Sequence, residues 1–303
     1  MASAADFSRN RTWLWRALAA PGLAWLLLFF VTPFYALLSV AMGRLDPVFS
    51  SAEPVWNPIH WNPAIFPEVL GELFGGRLGA IFMRTFVYVG VASTLCLLIG
   101  YPVAYYLARH AGRWRGLLLG LIVAPFWINY LMRMMAWQNL LAVDGYVNRF
   151  LMFINALDAP RAWLVGHHET VILGLVYGYV PFLILPLYAA LDQIDSSVLE
   201  AARDLGAGPV RTFLHVTLPL SKQGVMAGVV IIMLPLFGDY YTPSLLSGSP
   251  RTRMIGNEID LFINSGVGGA TGAALTVILM AFITLLMAYY LFTVMGAARE
   301  SQR

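Results

Sequence analysis

Three ionisable side chains lie inside runs apolar enough to cross a membrane: Arg84, Arg133 and Asp239. A charge in hydrocarbon is costly, so each demands a partner or a hydrated, functional setting. Asp239 stands beside Phe237, Tyr240 and Tyr241, and Gly238 and Pro243 bracket it. A broken helix fits there, as where discontinuous helices meet a ligand in the membrane. Two chemistries follow. Asp239 can pair with Arg133 or Arg84 and fix helix packing. Alternatively it can line a pathway and attract an ammonium group, which the neighbouring aromatic faces would also favour.

Other chemistries lack their residues. A phosphate-cradling loop needs G-x-x-x-x-G-K-[ST], and the single lysine, Lys222, follows Ser221 in no such context. His167-His168-Glu169 lacks the H-E-x-x-H spacing of a zinc helix. No G-x-S-x-G elbow is present, and the lone Cys96 excludes an internal disulfide framework. The expectation is a chain with no catalytic residue, no metal and no cofactor of its own. Beyond "RHAGRWR" there is no basic run, so nucleic acid is not expected as a partner.

The elements that must position these charges are membrane helices. Of 303 residues 59% are hydrophobic and only 12% charged, with a mean hydropathy of +0.71. A soluble domain is nearer a quarter charged, so most of this surface must face lipid or other helices. Segments near 17–42, 80–108, 117–140, 170–191, 223–246 and 271–296 are each long enough to span. Helix is the state that satisfies their backbone in lipid. The first run is longer than the h-region of a signal peptide, so it reads as a retained span. Pro33, Pro102, Pro125, Pro181, Pro186 and Pro235 fall inside spans, where kinks are expected.

Arg and Lys set the orientation. The N-terminal segment, 109–116, 192–222 and the C-terminal tail carry eleven of the nineteen. That set belongs in the cytoplasm, with both termini. Segment 43–79 is then an external loop, and Trp13, Trp15, Trp56, Trp61, Trp114 and Trp163 fall near the two interfaces.

Segment 192–222 is unusually ordered for a connection. Ser197 and Glu200 have capping-box spacing. Val198, Ala201, Ala202 and Leu205 follow on one helical face. Gly206 suits a left-handed helix stop, Gly208-Pro209 restarts a helix, and Pro219 precedes the next span. Two short helices joined by a rigid elbow are expected. They would serve either as a docking element or as an interfacial amphipathic helix.

Glu200-Ala201-Ala202, Gly206 and Val216-x-Leu218-Pro219 fit E-A-A-x3-G-x9-[IV]-x-L-P, which resembles the EAA loop of ABC importer permeases. The resemblance extends through "APFWINYLMRMMAW" (124–137), "DGYVN" (144–148), "GYVPFLILPLYAAL" (178–191), "LFGDYYTPSLLSG" (236–248) and "MIGNEI" (254–259). These look like the spermidine/putrescine permease branch. Asp239 stands where glutamate is more usual, and "SPRTR" (249–253) brings two arginines to the external mouth.

The resemblance implies an all-α type I importer permease fold. It makes residues 1–303 one transmembrane domain of about six helices: a cytoplasmic segment 1–16, the external loop 43–79 and a cytoplasmic coupling loop 192–222. It implies one permease subunit of an ATP-driven importer in a bacterial cytoplasmic membrane, carrying a polyamine. The implied partners are a second, different permease subunit, two ATPase subunits that hold ATP and Mg, and an external substrate-binding protein. Glu200, Ala201, Ala202, Gly206, Leu218 and Pro219 become the coupling residues. Asp239, Tyr240, Tyr241, Phe237, Trp127 and Tyr130 become pathway candidates, with Arg133 and Arg84 as charge partners. Another small amine or organic solute is the alternative cargo, and a gradient-driven secondary transporter the alternative class.

Overall fold

The computed structural model describes residues 4–46, 52–265 and 268–300. Helix α1 (Ala4–Leu26) continues through a π turn into α2 (Thr32–Ala41). Strands β1 (Arg44–Leu45) and β2 (Ala52–Glu53) pair antiparallel, Arg44 opposite Glu53. Then come α3 (Ile65–Gly75), α4 (Arg77–Arg109), α5 (Arg115–Val123), α6 (Tyr130–Leu140) and α7 (Tyr146–Phe153). After α8 (His168–Asp192) the helices are short: α9 (Ser196–Asp204), α10 (Pro209–Thr212) and α11 (Leu218–Leu220). The chain ends with α12 (Lys222–Phe237), α13 (Tyr241–Leu246), α14 (Ile255–Asn264) and α15 (Gly269–Glu300).

Among the described residues, four stretches are continuous, long and apolar enough to span: Trp15–Ala41, Arg77–Arg109, His168–Asp192 and Gly269–Phe292. Two more are helix pairs with sharp bends: 90° between Gly112–Trp127 and Tyr130–Leu140, and 62° between Pro209–Leu220 and Lys222–Phe237. The count reaches the six expected only with both bent pairs. Two expected spans are interrupted. Segment 117–140 breaks at Ile128–Asn129, and 223–246 breaks after Phe237. Asn129 caps the restart of α6 by accepting from the Leu131 N–H at 2.9 Å. A capped restart provides partners for backbone groups that lipid would leave bare.

Contacts divide the chain into two compact units, residues 1–71 with 261–280 and residues 72–260 with 281–303. In the first unit, the segment after β2 folds back on the end of α2. The Val55 N–H donates to the Ser39 carbonyl and the Asn62 N–H to that of Met42, and Tyr35 meets Trp56 and Trp61 ring to ring. The apolar side chains from Leu18 to Val31 are largely exposed, a surface for lipid or another chain rather than water.

The second unit is built on α8. Helix α4 packs along it, α12 packs on both, and α13 lies between α6 and α8. Val89, Ala92, Cys96, Leu175, Leu183, Leu187, Ile232 and Leu236 are fully buried. Small residues let the helices approach, as is usual in lipid. The buried Asn148 organises the loop between α6 and α8: its amide donates to the carbonyls of Ala142, Val143 and Arg161, and its oxygen accepts from the Arg161 N–H and the Trp163 indole.

Candidate functional site

Helix α12 ends at Phe237, two residues past Pro235, and the chain does not turn helical again until Tyr241. Asp239 occupies the break and is 5% exposed. Its Oδ1 accepts the Thr242 backbone N–H at 3.0 Å, which caps α13. Its Oδ2 accepts the hydroxyls of Thr242 at 2.7 Å, Tyr130 at 2.8 Å and Tyr179 at 3.4 Å. Tyr130 is the first residue of α6, just past the other break, and Tyr179 lies in α8. One carboxylate thus ties both interrupted helices to the central one. Hydrogen bonds to a charged group contribute about 1.5–3 kcal/mol each. Such a set can hold an anion in an apolar bundle without a cation in contact.

The break's own backbone is served from α14. The Asn257 amide donates to the Tyr240 carbonyl at 2.8 Å and to the Ser244 hydroxyl at 2.8 Å, while its oxygen accepts the Met254 N–H. That is the structural content of "MIGNEI".

The expected arginine partners do not reach Asp239. Among the described residues it forms no ion pair within 4 Å. Arg133 is buried, with its guanidinium over the rings of Phe126 at 5.1 Å and Tyr130 at 5.2 Å. The Tyr130 ring therefore carries Arg133 over its face and Asp239 at its hydroxyl. A cation on a π face keeps much of its stabilisation without a carboxylate. Arg84 points elsewhere, donating through Nε to the Arg253 carbonyl at 2.7 Å. Arg253 and Arg77 in turn flank the buried Glu258 at 3.7 and 3.1 Å. One arginine of "SPRTR" is therefore paired, and Arg251 is exposed.

The other pathway candidates scatter. The rings of Tyr240 and Tyr241 meet at a tilt, 4.1 Å between centroids. Phe237 is 1% exposed and turned into a cluster with Phe86 and Phe282. Trp127, last before the α6 break, is 89% exposed. Tyr179, Thr242, Gly178, Asn257 and Glu258 were not foreseen. Asp239-x-x-Thr242 has N-cap spacing and could have been read. The other contacts join distant parts of the chain and leave no local signal.

The second candidate element is the elbow at 192–222, where α9 and α10–α11 are the two expected short helices. Gly206 lies at φ +82. Its N–H reaches the Arg203 carbonyl and the Ala207 N–H that of Ala202, a Schellman stop. The capping box did not form. The N-cap is Asp195, which accepts the Ser197 N–H at 2.9 Å, and that bond holds its carboxyl below the usual range. The cap lies two residues earlier than expected, because Asp195 meets the free N–H groups before Ser197 can. The buried side chain of α9 is Leu199. Val198 and Leu205 of the expected apolar face point outward at 42% and 88% exposure. Glu200, Ala201, Leu218 and Pro219 are exposed too, and Ala202 half-buried.

A family model described as a binding-protein-dependent transport system inner membrane component matches residues 100–294. The chain belongs to this family. It is a multi-pass inner-membrane transport component, and its fold is that of an ABC importer permease. The permease is 38% identical over 193 residues to the spermidine/putrescine transport system permease protein PotB of Escherichia coli K12, covering 62% of this chain and 70% of that one. It is 35% identical over 264 residues to the PotB of Haemophilus influenzae, covering 86% and 88%. Among solved structures, a bacterial alginate ABC transporter in complex with its alginate pentasaccharide-bound periplasmic protein contains a chain of like fold. The TM-score is 0.72, with 17% identity and 93% of each chain covered.

Gly178 provides a test of the Asp239 cage from outside it. A Cβ there would stand 2.8 Å from Tyr130 Cε2 and 3.0 Å from its hydroxyl, so the ring must swing off Asp239. We expect Gly178→Ala and Tyr130→Phe to destabilise the purified permease by similar amounts, about 1–3 kcal/mol. The double variant should add little to either, and full additivity in thermal melts would refute the shared bond. Asp239→Asn should also lower the melting temperature, and adding Arg133→Gln should not restore it. Restoration would mean a direct buried pair, whose breaking costs roughly 3–5 kcal/mol.

Proposed function

We propose that the permease is one transmembrane subunit of an ATP-driven importer of polyamines. The cargo class rests on one observation, the likeness to relatives named for spermidine and putrescine over most of the chain. The elbow supports the machinery: Val198, Leu205 and Val210 leave an apolar surface uncovered at a rigid, glycine-stopped turn, which suits docking into a groove of an ATPase subunit. ATP and Mg belong to two such subunits, since this sequence lacks a phosphate-cradling loop. A second, different permease subunit completes the pathway, and an external binding protein delivers cargo. The arginine distribution puts the elbow and both termini in the cytoplasm.

In this reading Asp239 serves cargo as well as the fold. Its charge meets hydroxyls and one backbone N–H, with no cation in contact. An ammonium group of a polyamine would compete with the tyrosine hydroxyls for Oδ2, and Tyr240 and Tyr241 would add cation–π attraction. Loosening the hydroxyls would loosen the joint between both breaks, linking cargo to the packing of α6, α8 and α13. The pairing of Arg253 with Glu258 removes one of the two mouth arginines that would oppose a cationic cargo.

The complex reconstituted in proteoliposomes with its ATPase and binding protein should take up labelled spermidine and putrescine only with ATP inside the cytoplasmic compartment. Uptake driven by an ion gradient without ATPase would sink the reading, and stimulation by a non-amine solute alone would sink the cargo class. Asp239→Asn should cut spermidine uptake more than that of the smaller putrescine. Gly206→Val adds about 1 kcal/mol or more of left-handed backbone strain while its Cβ meets open space. The subunit should still insert, but binding protein should no longer stimulate ATP hydrolysis.

A further inference from the structure

Tyr101, Tyr105 and Arg109 recur every four residues at the end of α4 and so form one stripe along it. Each touches a different part of the elbow. The Tyr101 hydroxyl lies 2.7 Å from the Ser221 hydroxyl, at the 62° bend where the second arm meets α12. The rings of Tyr101 and Tyr105 meet Phe213 edge-on at 5.5 and 5.8 Å, within that second arm. Arg109 Nη2 donates to the carbonyls of Leu191 and Ile194, both at 2.8 Å. Those carbonyls belong to the last turn of α8 and to the residue just before the Asp195 cap of α9. Carbonyls in the last turn of a helix, such as that of Leu191, lack their i+4 ladder partners and carry partial negative charge. A guanidinium that reaches this one and the carbonyl of the link to α9 makes a strut.

The same region is not packed solid. A cavity of about 240 Å³ separates the end of α4 from α9, lined by Tyr105, Arg109, His110, Ser196, Glu200 and Arg203. On the side facing α4, helix α9 is thus held at its base by Arg109 and borders open space beyond it, while its other contacts are with the second arm. A rod pinned at one end and open beside it can pivot. The neighbouring Arg115–Asp192 pair is half exposed, and such surface pairs hold little.

We propose that Arg109 is the positioning residue through which movement of the elbow is passed to α4, with Tyr105 as its support on the second arm. This rests on the elbow being the ATPase coupling element. Arg109 touches neither cargo nor nucleotide. Its role is to make α4 move when α9 moves.

The test uses the full complex in proteoliposomes with its ATPase and binding protein. The readout is cargo imported per ATP hydrolysed, together with basal ATPase rate and complex yield. Arg109→Met keeps the length and removes the donors. It should leave basal hydrolysis near normal and lower the cargo-per-ATP ratio about tenfold. Arg109→Lys can still donate to both carbonyls and should recover most of it. A merely structural role would lower yield while the assembled fraction kept its ratio, and that result overturns the proposal. Should Arg109→Met fail to assemble, Tyr105→Leu decides, because it removes the ring contact with Phe213 and leaves Arg109 in place. A lowered ratio in Tyr105→Leu supports the strut, and an unchanged ratio there overturns it. Gly206→Val separates the two readings. If it uncouples while the α4 variants do not, only this proposal falls; if it leaves the ratio unchanged, the coupling reading itself falls.

Discussion

A backbone interrupted inside a membrane must find hydrogen-bond partners in protein, because hydrocarbon offers none. The second unit is arranged around that demand. Its two interruptions, at Ile128–Asn129 and at Gly238–Tyr240, lie close enough for one carboxylate to serve both. Asp239 takes a backbone N–H from α13 and hydroxyls from α6 and α8, while the Asn257 amide adds a donor to the Tyr240 carbonyl. A carboxylate suits this place because it accepts in several directions at once and donates in none. An amide could cap α13, but its NH2 face would compete with the same hydroxyls.

The cationic residues follow a complementary logic. Of the intramembrane arginines, Arg133 rests on aromatic faces and Arg84 on a carbonyl, while Glu258 gathers Arg77 and Arg253. Positive charge is thus anchored away from Asp239. Had Arg133 paired with it directly, the break would hold a neutral, closed ion pair with no electrostatic reason to admit a further cation. The interposed Tyr130 ring keeps the two charges apart and leaves Oδ2 of the carboxylate bound only by hydroxyls, which can turn.

The spans were legible in the sequence because the cost of bare backbone in lipid imposes a length on every crossing. The elbow was legible because Gly206 needs a left-handed backbone and Pro209 a fixed φ, both local facts. The capping residue was misread where Asp195 and Ser197 compete within one turn, a contest that side-chain pattern alone does not rank. The apolar stripe Val198, Ala201, Ala202 and Leu205 was seen, but not its destination. A stripe records that something covers it, not whether the cover lies in the same chain. The cage was half legible: Asp239 announced itself as a charge in an apolar run, and its tyrosines did not. Gly178 lies 48 residues past Tyr130, and only the crossing of α6 and α8 makes its missing side chain the space for that ring.

Helix α8 joins the two candidate elements physically. Tyr179 meets Asp239, and Leu191, twelve residues on, meets Arg109. At the rise of an α-helix that separation is about 18 Å. Pro181 and Pro186 fall between them, and each removes an intrahelical N–H donor where helices bend most readily. A pull on the Asp192 end of α8 would therefore be taken up as bending between the prolines as well as translation. Helix α4 has Pro102 near its elbow-facing stripe but none between Arg77 and Tyr101. It packs along α8. Under the proposed coupling, a force entering at Arg109 would cross one proline, Pro102, on its way up α4, and two, Pro186 and Pro181, on its way up α8 to Tyr179, so α4 offers the less interrupted of the two routes to the cage.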